Sequence, residues 1–504
     1  MEFTRLAKRL MVILLACSCF QPLTTVAQVI DFAGAEFHEP VDVEYWKQHP
    51  RNGVDVTPFL RKGKVMFRHP ISFRGARFYS MSDFNYAQFN SATEFNNVQF
   101  NFAAGFYRAQ FNSKIDYRLA HFHSSVDFES AVFNSTVDYN YAHFDSSANF
   151  KFADFQSTAD FSGARFFSSA EFFNAQIHST ADFSNAGFAS WAEFLNVQFH
   201  STADFADAVF LSDAYFEFVD FHSTVDFEFA NFHTMANFRG ARFKDKVSFN
   251  NSTLPDSLDF REVINIANEI DFTYSNPPSE NEKCHIALAG TDIDKIKINM
   301  RLFELWFPAD TTFIVSLAAS DTIRLIDRID SSSYDEKTSV YESVLKKLQD
   351  DGFMDSYRIL DINYREFKYR HEGGLNWYVA NTFHRLWWNY AYSKELIFLW
   401  TLGFLLLFST LNINFYRRLS EDVYAIPFLG EWDNDSMRWP KSWIYYWLQV
   451  VTYTSIIFFG LKMDISKFKQ GVIRSHPFLF AYLMFIYVLG LVCMGFIVNI
   501  IFTR

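Results

Sequence analysis

The chain has 504 residues and a formal net charge of −12, from 45 basic and 57 acidic side chains. This length suits two or three domains, and the acidic balance argues against a partner held through nucleic-acid phosphates. Aromatic residues make up 19% of the chain and 63 residues are Phe, a bias that calls for a search for internal repeats.

The N-terminal segment 1–27 has the order of a signal peptide. Arg5, Lys8 and Arg9 precede a short apolar run at 10–16, and Ala27 ends a small-residue cleavage site. An uncleaved N-terminal anchor is the alternative. Under either interpretation, we expect the residues after about 28 to leave the cytoplasm.

A repeat fills residues 67–260. Aromatic side chains recur at alternating intervals of five and six residues, and between 73 and 243 only Tyr117, Tyr139 and Ile177 replace Phe. A small side chain, most often Ala, stands two residues before each. Side chains at i−2 and i share one face of an extended segment, so the pattern predicts short strands with Phe and Ala inside.

A second, 22-residue period sets the number of strands per coil. Two sets of residues follow it: Ser91, Ser113, Ser135, Ser157, Ser179, Ser201 and Ser223, and Asp116, Asp138, Asp160, Asp182, Asp204 and Asp226. Four five- or six-residue units therefore make one coil. Phe32 and Phe37 predict a partial first coil at the start of the segment 28–66, and an insertion at about 38–66 interrupts it.

The stretch ADFSGARF at 159–166 carries a family resemblance. It resembles the pentapeptide-repeat family, with Phe in place of Leu inside and one extra residue in every second unit. The resemblance implies a β-solenoid, a right-handed quadrilateral β-helix with a 22-residue coil.

The repeat explains its own conspicuous polar residues. His178, His200 and His222 should stack one coil apart, and we interpret them as solvated corner residues rather than metal ligands. The Asp column should accept hydrogen bonds from turn N–H groups. No catalytic constellation, phosphate loop, metal cluster or cofactor motif stands out, so we predict no enzyme activity and no cofactor.

Beyond the repeat, the sequence predicts a β-rich cap at 261–330 and a helical linker with an interfacial aromatic segment at 331–394. A transmembrane helix follows at 395–416, because twenty uncharged residues suffice to cross a bilayer. A further apolar segment lies at 441–464, and a second transmembrane helix at 476–502.

The segment YYWLQVVTYTS at 445–455 resembles the pore helix of the two-helix ion-channel module. The resemblance implies a homo-oligomer that conducts monovalent cations. Thr452, Thr454, Ser455, Gly460 and Asp464 would be pore or filter residues. Gly490 would be the inner-helix hinge. The chain departs from the family in having a single glycine, Gly460, where a potassium filter has two.

Two alternatives stay open at this stage. Residues 441–464 either re-enter the membrane between two spans or cross it as a third span. The protein is either a channel-like pore or a non-conducting membrane-anchored scaffold whose β-helix docks a partner. Bacterial proteins that join pentapeptide repeats to a channel module suggest the inner membrane, with the lipid bilayer as a partner and the repeats extracytoplasmic.

Overall fold

The computed structural model describes residues 29–51, 54–57, 64–264, 266–280, 282–308, 311–314, 324–327, 333–426, 441–461, 468 and 471–502. The predicted signal peptide at 1–27 and Asp464 lie outside these residues. The chain forms two compact units, Met1–Leu360 and Asp361–Arg504.

The first unit is a solenoid of two-residue strands that stack into four parallel sheets, named faces A to D in the order the chain visits them. Face A contains Ile30–Asp31, Ile71–Ser72, Thr93–Glu94, Ile115–Asp116, Val137–Asp138, Ala159–Asp160, Ala181–Asp182, Ala203–Asp204, Val225–Asp226 and Val247–Ser248. Face B contains Glu36–Phe37, Arg77–Phe78, Gln99–Phe100, His121–Phe122, His143–Phe144, Arg165–Phe166, Gly187–Phe188, Val209–Phe210 and Asn231–Phe232.

The other two faces continue into irregular strands at their ends. Face C contains Ser82–Asp83, Ala104–Gly105, Val126–Asp127, Ala148–Asn149, Ala170–Glu171, Ala192–Glu193, Ala214–Tyr215, Met235–Asn237, Ser257–Asp259, Cys284–Ala287 and Phe303–Leu305. Face D contains Val54–Thr57, Lys64–Phe67, Gln88–Phe89, Gln110–Phe111, Val132–Phe133, Asp154–Phe155, Gln176–Ile177, Gln198–Phe199, Asp220–Phe221 and Arg242–Phe243.

The register confirms the predicted 22-residue coil. Ala159 pairs with Ala181 and Asp160 with Asp182, and the same offset holds along the regular part of all four faces. Inside, each ring stacks on the ring one coil away, as Phe161 does on Phe183 at 4.9 Å between centroids and 1° between planes. Phe161 also meets Phe172 edge-on at 5.5 Å. Both are favourable aromatic geometries, and all three rings are fully buried.

The N-terminal end of the ring stack is covered. At the N-terminal end, helix α1 (Val43–Gln48) places the buried Trp46 edge-on against Phe67, 5.2 Å between centroids. Val54–Thr57 pairs antiparallel with Lys64–Phe67 and shields the first edge of face D. The described parts of the insertion at 38–66 therefore supply the N-terminal cap.

The stacked coils extend past the regular repeat to Phe303–Leu305, in coils of unequal length. Ser257 pairs with His285 and Cys284 with Phe303, offsets that depart from the regular period. Two smaller sheets pair Ile270–Asp271 with Ile296–Lys297 and Thr311–Ile314 with Arg324–Asp327. The predicted β-rich segment thus continues the solenoid as well as ending it.

Helix α2 (Tyr334–Asp350) packs beside these last coils. Ser333 caps its first turn by accepting a hydrogen bond from the Glu336 N–H at 3.2 Å. Lys347 forms an ion pair of 2.9 Å with Glu269 on the solenoid. This ion pair joins the helix to one of the last coils of the solenoid.

The second unit is helical. It contains helices α3 (Met354–Glu372, which begins in the first unit), α4 (Gly374–Trp388), α5 (Glu395–Asn412), α6 (Lys441–Phe458) and α7 (Pro477–Phe502), with short turns at Asn389–Ala391, Tyr416–Arg418, Leu419–Val423 and Val472–Ser475. Among the described residues, α5 and α7 are long and apolar enough to cross a membrane. The predicted architecture, a β-solenoid followed by helices, is confirmed.

Candidate functional sites in the helical unit and on the solenoid surface

The predicted pore residues Thr452, Thr454 and Ser455 lie inside helix α6. Each hydroxyl donates a hydrogen bond of 2.7–2.8 Å to the backbone carbonyl four residues earlier. Thr452 is exposed and Thr454 is buried, so the two lie on different sides of the helix. The structure thus places the three hydroxyls within a helix, where each is bonded to the helix backbone, and their role in a pore stays a prediction.

Gly460 ends helix α6. It has a φ of +66°, its N–H bonds to the Ile457 carbonyl at 3.1 Å, and the next N–H, of Leu461, bonds to the Ile456 carbonyl at 2.9 Å. This pair of bonds with a left-handed residue is the Schellman motif, which favours glycine. Gly460 therefore has a role as a helix C-cap, whatever it contributes to a pore. Asp464, the remaining filter candidate, lies outside the described residues.

Gly490 lies where helix α7 meets the end of helix α6. A Cβ atom built on Gly490 would stand 1.7 Å from the Phe458 carbonyl oxygen, a distance no contact permits. The glycine therefore allows the two helices to touch at their backbones. Its role as a hinge stays a prediction.

A buried polar network joins the three apolar helices. Asn412, at the end of α5, donates to the Thr454 hydroxyl at 2.9 Å and accepts from the Tyr482 hydroxyl of α7 at 2.9 Å. Asn412 and Thr454 are at most 1% exposed. Because buried polar groups are costly without partners, this network fixes the depth of α6 relative to α5 and α7.

Helices α5 and α7 run antiparallel. Tyr482, near the start of α7, contacts Asn412 at the end of α5. Phe496, near the end of α7, packs 5.8 Å from Trp387, which precedes α5. The end of α5 and the start of α7 therefore form one end of the bundle.

Two described residues, one near the start of helix α6 and one beyond its end, lie at that same end. On the way in, the Tyr446 hydroxyl donates to the Ile413 carbonyl at 2.8 Å, just past α5. On the way out, Phe468 forms an antiparallel bridge with Tyr424 and packs 5.4 Å from Phe480 in the first turn of α7. Tyr446 and Phe468, on the two sides of α6 in the chain, thus lie at the same end of the bundle, whereas α6 itself ends at Gly490.

On the solenoid, the Asp column of face A forms the turns that were predicted. Each carboxylate accepts a hydrogen bond from the backbone N–H two residues later, for example Asp160 from Ser162 at 2.9 Å and Asp204 from Ala206 at 2.9 Å. Burial, and then the neighbouring carboxylates Asp182 and Asp226, raise the pKa of Asp204. The column is structural, and its residues shape the corner after face A.

The histidine column lies on the D–A corner, the turn between faces D and A. The rings of His178 and His200 stack at 4.7 Å, and those of His200 and His222 lie 4.8 Å apart. Lys244 places its ammonium 2.8 Å from Asp220 and 3.2 Å from His222. The ammonium of Lys244 beside the His222 ring is consistent with solvated corner residues rather than metal ligands.

A second set of histidines, which the sequence pattern did not single out, lies on face B and the following B–C corner. His121 Nε2 and His123 Nδ1 lie 2.8 and 2.9 Å from one oxygen of Asp145. His143 lies one coil from His121, with 5.3 Å between ring centroids. The sequence could have indicated this cluster: His121 and His123 are two residues apart, and His143 and Asp145 repeat that spacing one coil later.

Exposed apolar side chains are most numerous on the B–C corner. In the regular solenoid this corner carries Tyr79, Met81, Phe102, Phe167, Trp191 and Leu211, each more than a third exposed. In the coils between residues 68 and 246, by contrast, the D–A corner carries no large exposed apolar side chain. One corner of the solenoid therefore differs from the opposite one in the apolar surface it offers to solvent.

Comparisons with protein-family models, with curated proteins and with solved structures find no match for this chain.

Proposed function

We propose that the protein is a membrane-anchored repeat protein whose helical unit is a re-entrant pore module that conducts monovalent cations as a homo-oligomer. One observation carries this proposal. Tyr446, near the start of helix α6, and Phe468, ten residues beyond its end, both lie at one end of a pair of helices that are long and apolar enough to cross a membrane.

The depth of helix α6 supports a re-entrant segment. Its last residue, Phe458, meets Gly490, which is the fourteenth of the 26 residues of α7. Gly490 stands eight residues beyond Tyr482, about 12 Å at the helical rise. With α7 across a bilayer, α6 would end near the middle of the membrane.

The direction of helix α6 supports cations as the conducted species. Its C-terminal end points toward the middle of the bundle, and the C-terminus of a helix carries a partial negative charge. In a low-dielectric medium such a dipole stabilises a cation. A pore of this type forms between copies of the chain, so the proposal requires a homo-oligomer.

The test is ion flux through the purified full-length protein in liposomes, with K⁺, Na⁺ and Cl⁻ gradients compared. We expect cation flux well above anion flux, together with a cross-linked oligomer larger than a dimer. A monomer that passes no ion under any gradient would remove the proposal.

A cysteine at Thr452, which is exposed on α6, tests the path itself. A charged thiol reagent should reduce flux in Thr452→Cys at least about tenfold if this face lines the pore. The matched control is Val498→Cys, which places the thiol on an exposed part of α7. Equal block in both variants would contradict a path along α6.

The second candidate is a non-conducting anchored scaffold, and the B–C corner favours it. Exposed apolar side chains concentrated on one part of a surface can mark a protein interface. The proposed occupant is a protein with an apolar face, because Phe167, Trp191 and Leu211 offer ring and aliphatic surface. The test is the double variant Trp191→Ser, Phe167→Ser, which removes apolar surface without changing the charge. It should abolish co-purification of such a partner while leaving ion flux intact.

We propose further that the protein has no catalytic role and resides in a bacterial inner membrane with its solenoid extracytoplasmic. The basic and apolar order of the segment 1–27 supports export of the solenoid. Arg417 and Arg418, just beyond α5, suit a cytoplasmic end of that helix.

A further inference from the structure

The four histidine and aspartate side chains of the B–C region form a two-by-two grid on consecutive coils. His121 and His123 flank the inward Phe122 on one coil, so both point outward. His143 and Asp145 hold the same two places one coil further on, because His121 pairs with His143 in the sheet. The rigid 22-residue register therefore brings these side chains together without any loop.

Three of these groups converge on one point. His121 Nε2, His123 Nδ1 and one oxygen of Asp145 all lie within 4.8 Å of one another. Each side chain keeps roughly a third of its surface exposed, so an ion from solvent can reach them. Among the described residues, only these three His, Cys, Asp or Glu side chains have ligand atoms close enough together to hold one metal ion.

The other histidine column shows that convergence is specific to this place. His178 lies 3.2 Å from Asp154 and His222 lies 3.3 Å from Asp220, so each of these rings has a carboxylate of its own. The Lys244 ammonium also approaches Asp220 at 2.8 Å. Stacked histidines on the same fold thus do not by themselves make a ligand set, and this column provides the matched control.

From this geometry we propose that His121, His123 and Asp145 bind one divalent transition-metal ion of the Zn²⁺ class. Imidazole nitrogen and carboxylate oxygen are ligands that zinc prefers, and three protein ligands with one water complete a tetrahedron. The ion would take the place of the two close contacts between the imidazole nitrogens and the Asp145 oxygen.

The site would join two adjacent coils. His121 and His123 belong to one coil and Asp145 to the next, so a bound ion adds a cross-link between neighbours that otherwise meet through short strands and rings. It also leaves one coordination position facing solvent on the B–C corner. The proposal does not depend on ion conduction or on partner docking.

The experiment uses the full-length protein in detergent, stripped of metal with a chelator and then titrated with Zn²⁺, and separately with Co²⁺ for its visible absorption. We expect one ion per chain, a tetrahedral cobalt spectrum and a higher melting temperature with metal, because an ion that binds only the folded state stabilises it. His123→Ala and Asp145→Asn should each weaken binding at least about tenfold.

The control variant His200→Ala should bind as the wild type does. Circular dichroism of each variant checks that the solenoid is folded, which we expect because all three ligands lie on the surface. Unchanged stoichiometry and affinity in the triple variant His121→Ala, His123→Ala, Asp145→Asn would overturn the proposal. So would a folded wild type that binds no ion in a stoichiometric manner.

Discussion

Single residues decide how closely the helices of the second unit can approach. Gly490 lets α7 touch the Phe458 carbonyl, and Gly460 ends α6 in a left-handed conformation. The sequence singled out both glycines by resemblance to a channel module, Gly460 as a filter residue and Gly490 as a hinge. The structure gives each a packing or capping role that the spacing alone did not reveal.

The first prediction concerns Gly490→Ala. The new methyl group would overlap the Phe458 carbonyl oxygen, 1.7 Å away. Helices α6 and α7 must therefore separate, which costs about 1–3 kcal/mol. We expect a lower melting temperature of the purified protein in detergent, measured by cysteine-reactive dye or by loss of the monodisperse peak on heating.

The control for this change is Gly495→Ala, one turn and a half further along α7, where a Cβ meets no atom within 4 Å. Alanine is the better helix former, so this variant should be as stable as the wild type or slightly more so. Equal destabilisation by the two substitutions would show that the α6–α7 contact does not set stability.

A buried carboxylate makes solenoid stability depend on pH. Glu217 is 6% exposed and accepts a hydrogen bond of 2.6 Å from the Asn237 side chain. Burial, and then the nearby Asp259 carboxylate, raise the pKa of Glu217 from 4.5 to about 7. The folded chain therefore holds a proton that the unfolded chain releases between these values.

The second prediction follows from the sign of that shift. The contribution of Glu217 to the free energy of unfolding is largest below pH 4.5. It falls as the pH rises toward 7, by about 3 kcal/mol at most. Glu217→Gln keeps a side-chain carbonyl for Asn237 and removes the charge. It should raise the melting temperature at pH 8 and change it little at pH 4.5.

The matched control for Glu217→Gln is Glu228→Gln, a less buried carboxylate on another corner of the solenoid. Thermal unfolding followed by circular dichroism at the two pH values gives the comparison. A wild type and a Glu217→Gln variant with the same dependence on pH would show that Glu217 stays ionised in the folded solenoid.

At the scale of the element, the inner rings hold neighbouring coils together. Phe161 stacks on Tyr139 at 4.8 Å and on Phe183 at 4.9 Å, and it is fully buried. In a solenoid each coil contacts only its neighbours, so the loss of one ring weakens two interfaces.

The third prediction is that Phe161→Ala destabilises the solenoid by about 3–5 kcal/mol, because it removes buried surface and leaves a cavity. The control is Phe167→Ala, whose ring is 53% exposed on the B–C corner and which should change stability by less than about 0.5 kcal/mol. Urea denaturation followed by circular dichroism measures both. Similar losses in the two variants would contradict the assignment of inner and outer rings.

The regular elements could be predicted because their signal is local. The spacing of Phe and Ala fixes which side chains face inward, and the 22-residue period fixes which strands pair. The coils between 261 and 305 lack that spacing, since Ser257 pairs with His285 and Cys284 with Phe303, two unequal offsets. Their path depends on contacts with helix α2 and on long-range pairing, which a sequence period does not record.

The candidate sites, like the fold, combine residues that a local sequence pattern identifies with contacts that it does not. Thr452, Thr454 and Gly460 were identified by their likeness to a pore segment, yet the bond from Asn412 to Thr454 joins residues 42 positions apart. No motif predicts such a pair. The His121, His123 and Asp145 group was hidden for the opposite reason: the repeat makes His and Asp so common that a converging set does not stand out.

At the scale of the whole molecule, the path of the chain through the second unit decides between two topologies. Helix α6 has 18 residues, which is long enough to cross the apolar part of a bilayer if it stood upright. Its contacts with Ile413 at one end and with Gly490, midway along α7, at the other favour a segment that reaches only half-way.

The fourth prediction tests this topology with single cysteines in a chain whose native cysteines are replaced by alanine. Ala425 follows α5, Ser475 precedes α7, and both are exposed. A re-entrant α6 places Ala425→Cys and Ser475→Cys on the same side of a sealed vesicle, whereas a third span would place them on opposite sides. Lys394→Cys, before α5, is the control and should react from the other side.

The readout is labelling by a membrane-impermeant maleimide, before and after the vesicles are opened. If Ala425→Cys and Ser475→Cys are labelled together and Lys394→Cys separately, α5 and α7 are the two spans and the residues after Phe458 return to the side from which α6 entered. Labelling of Ala425→Cys and Ser475→Cys from opposite sides would remove the re-entrant module and leave an anchored solenoid, because three full spans place no loop at mid-membrane depth for an ion to meet.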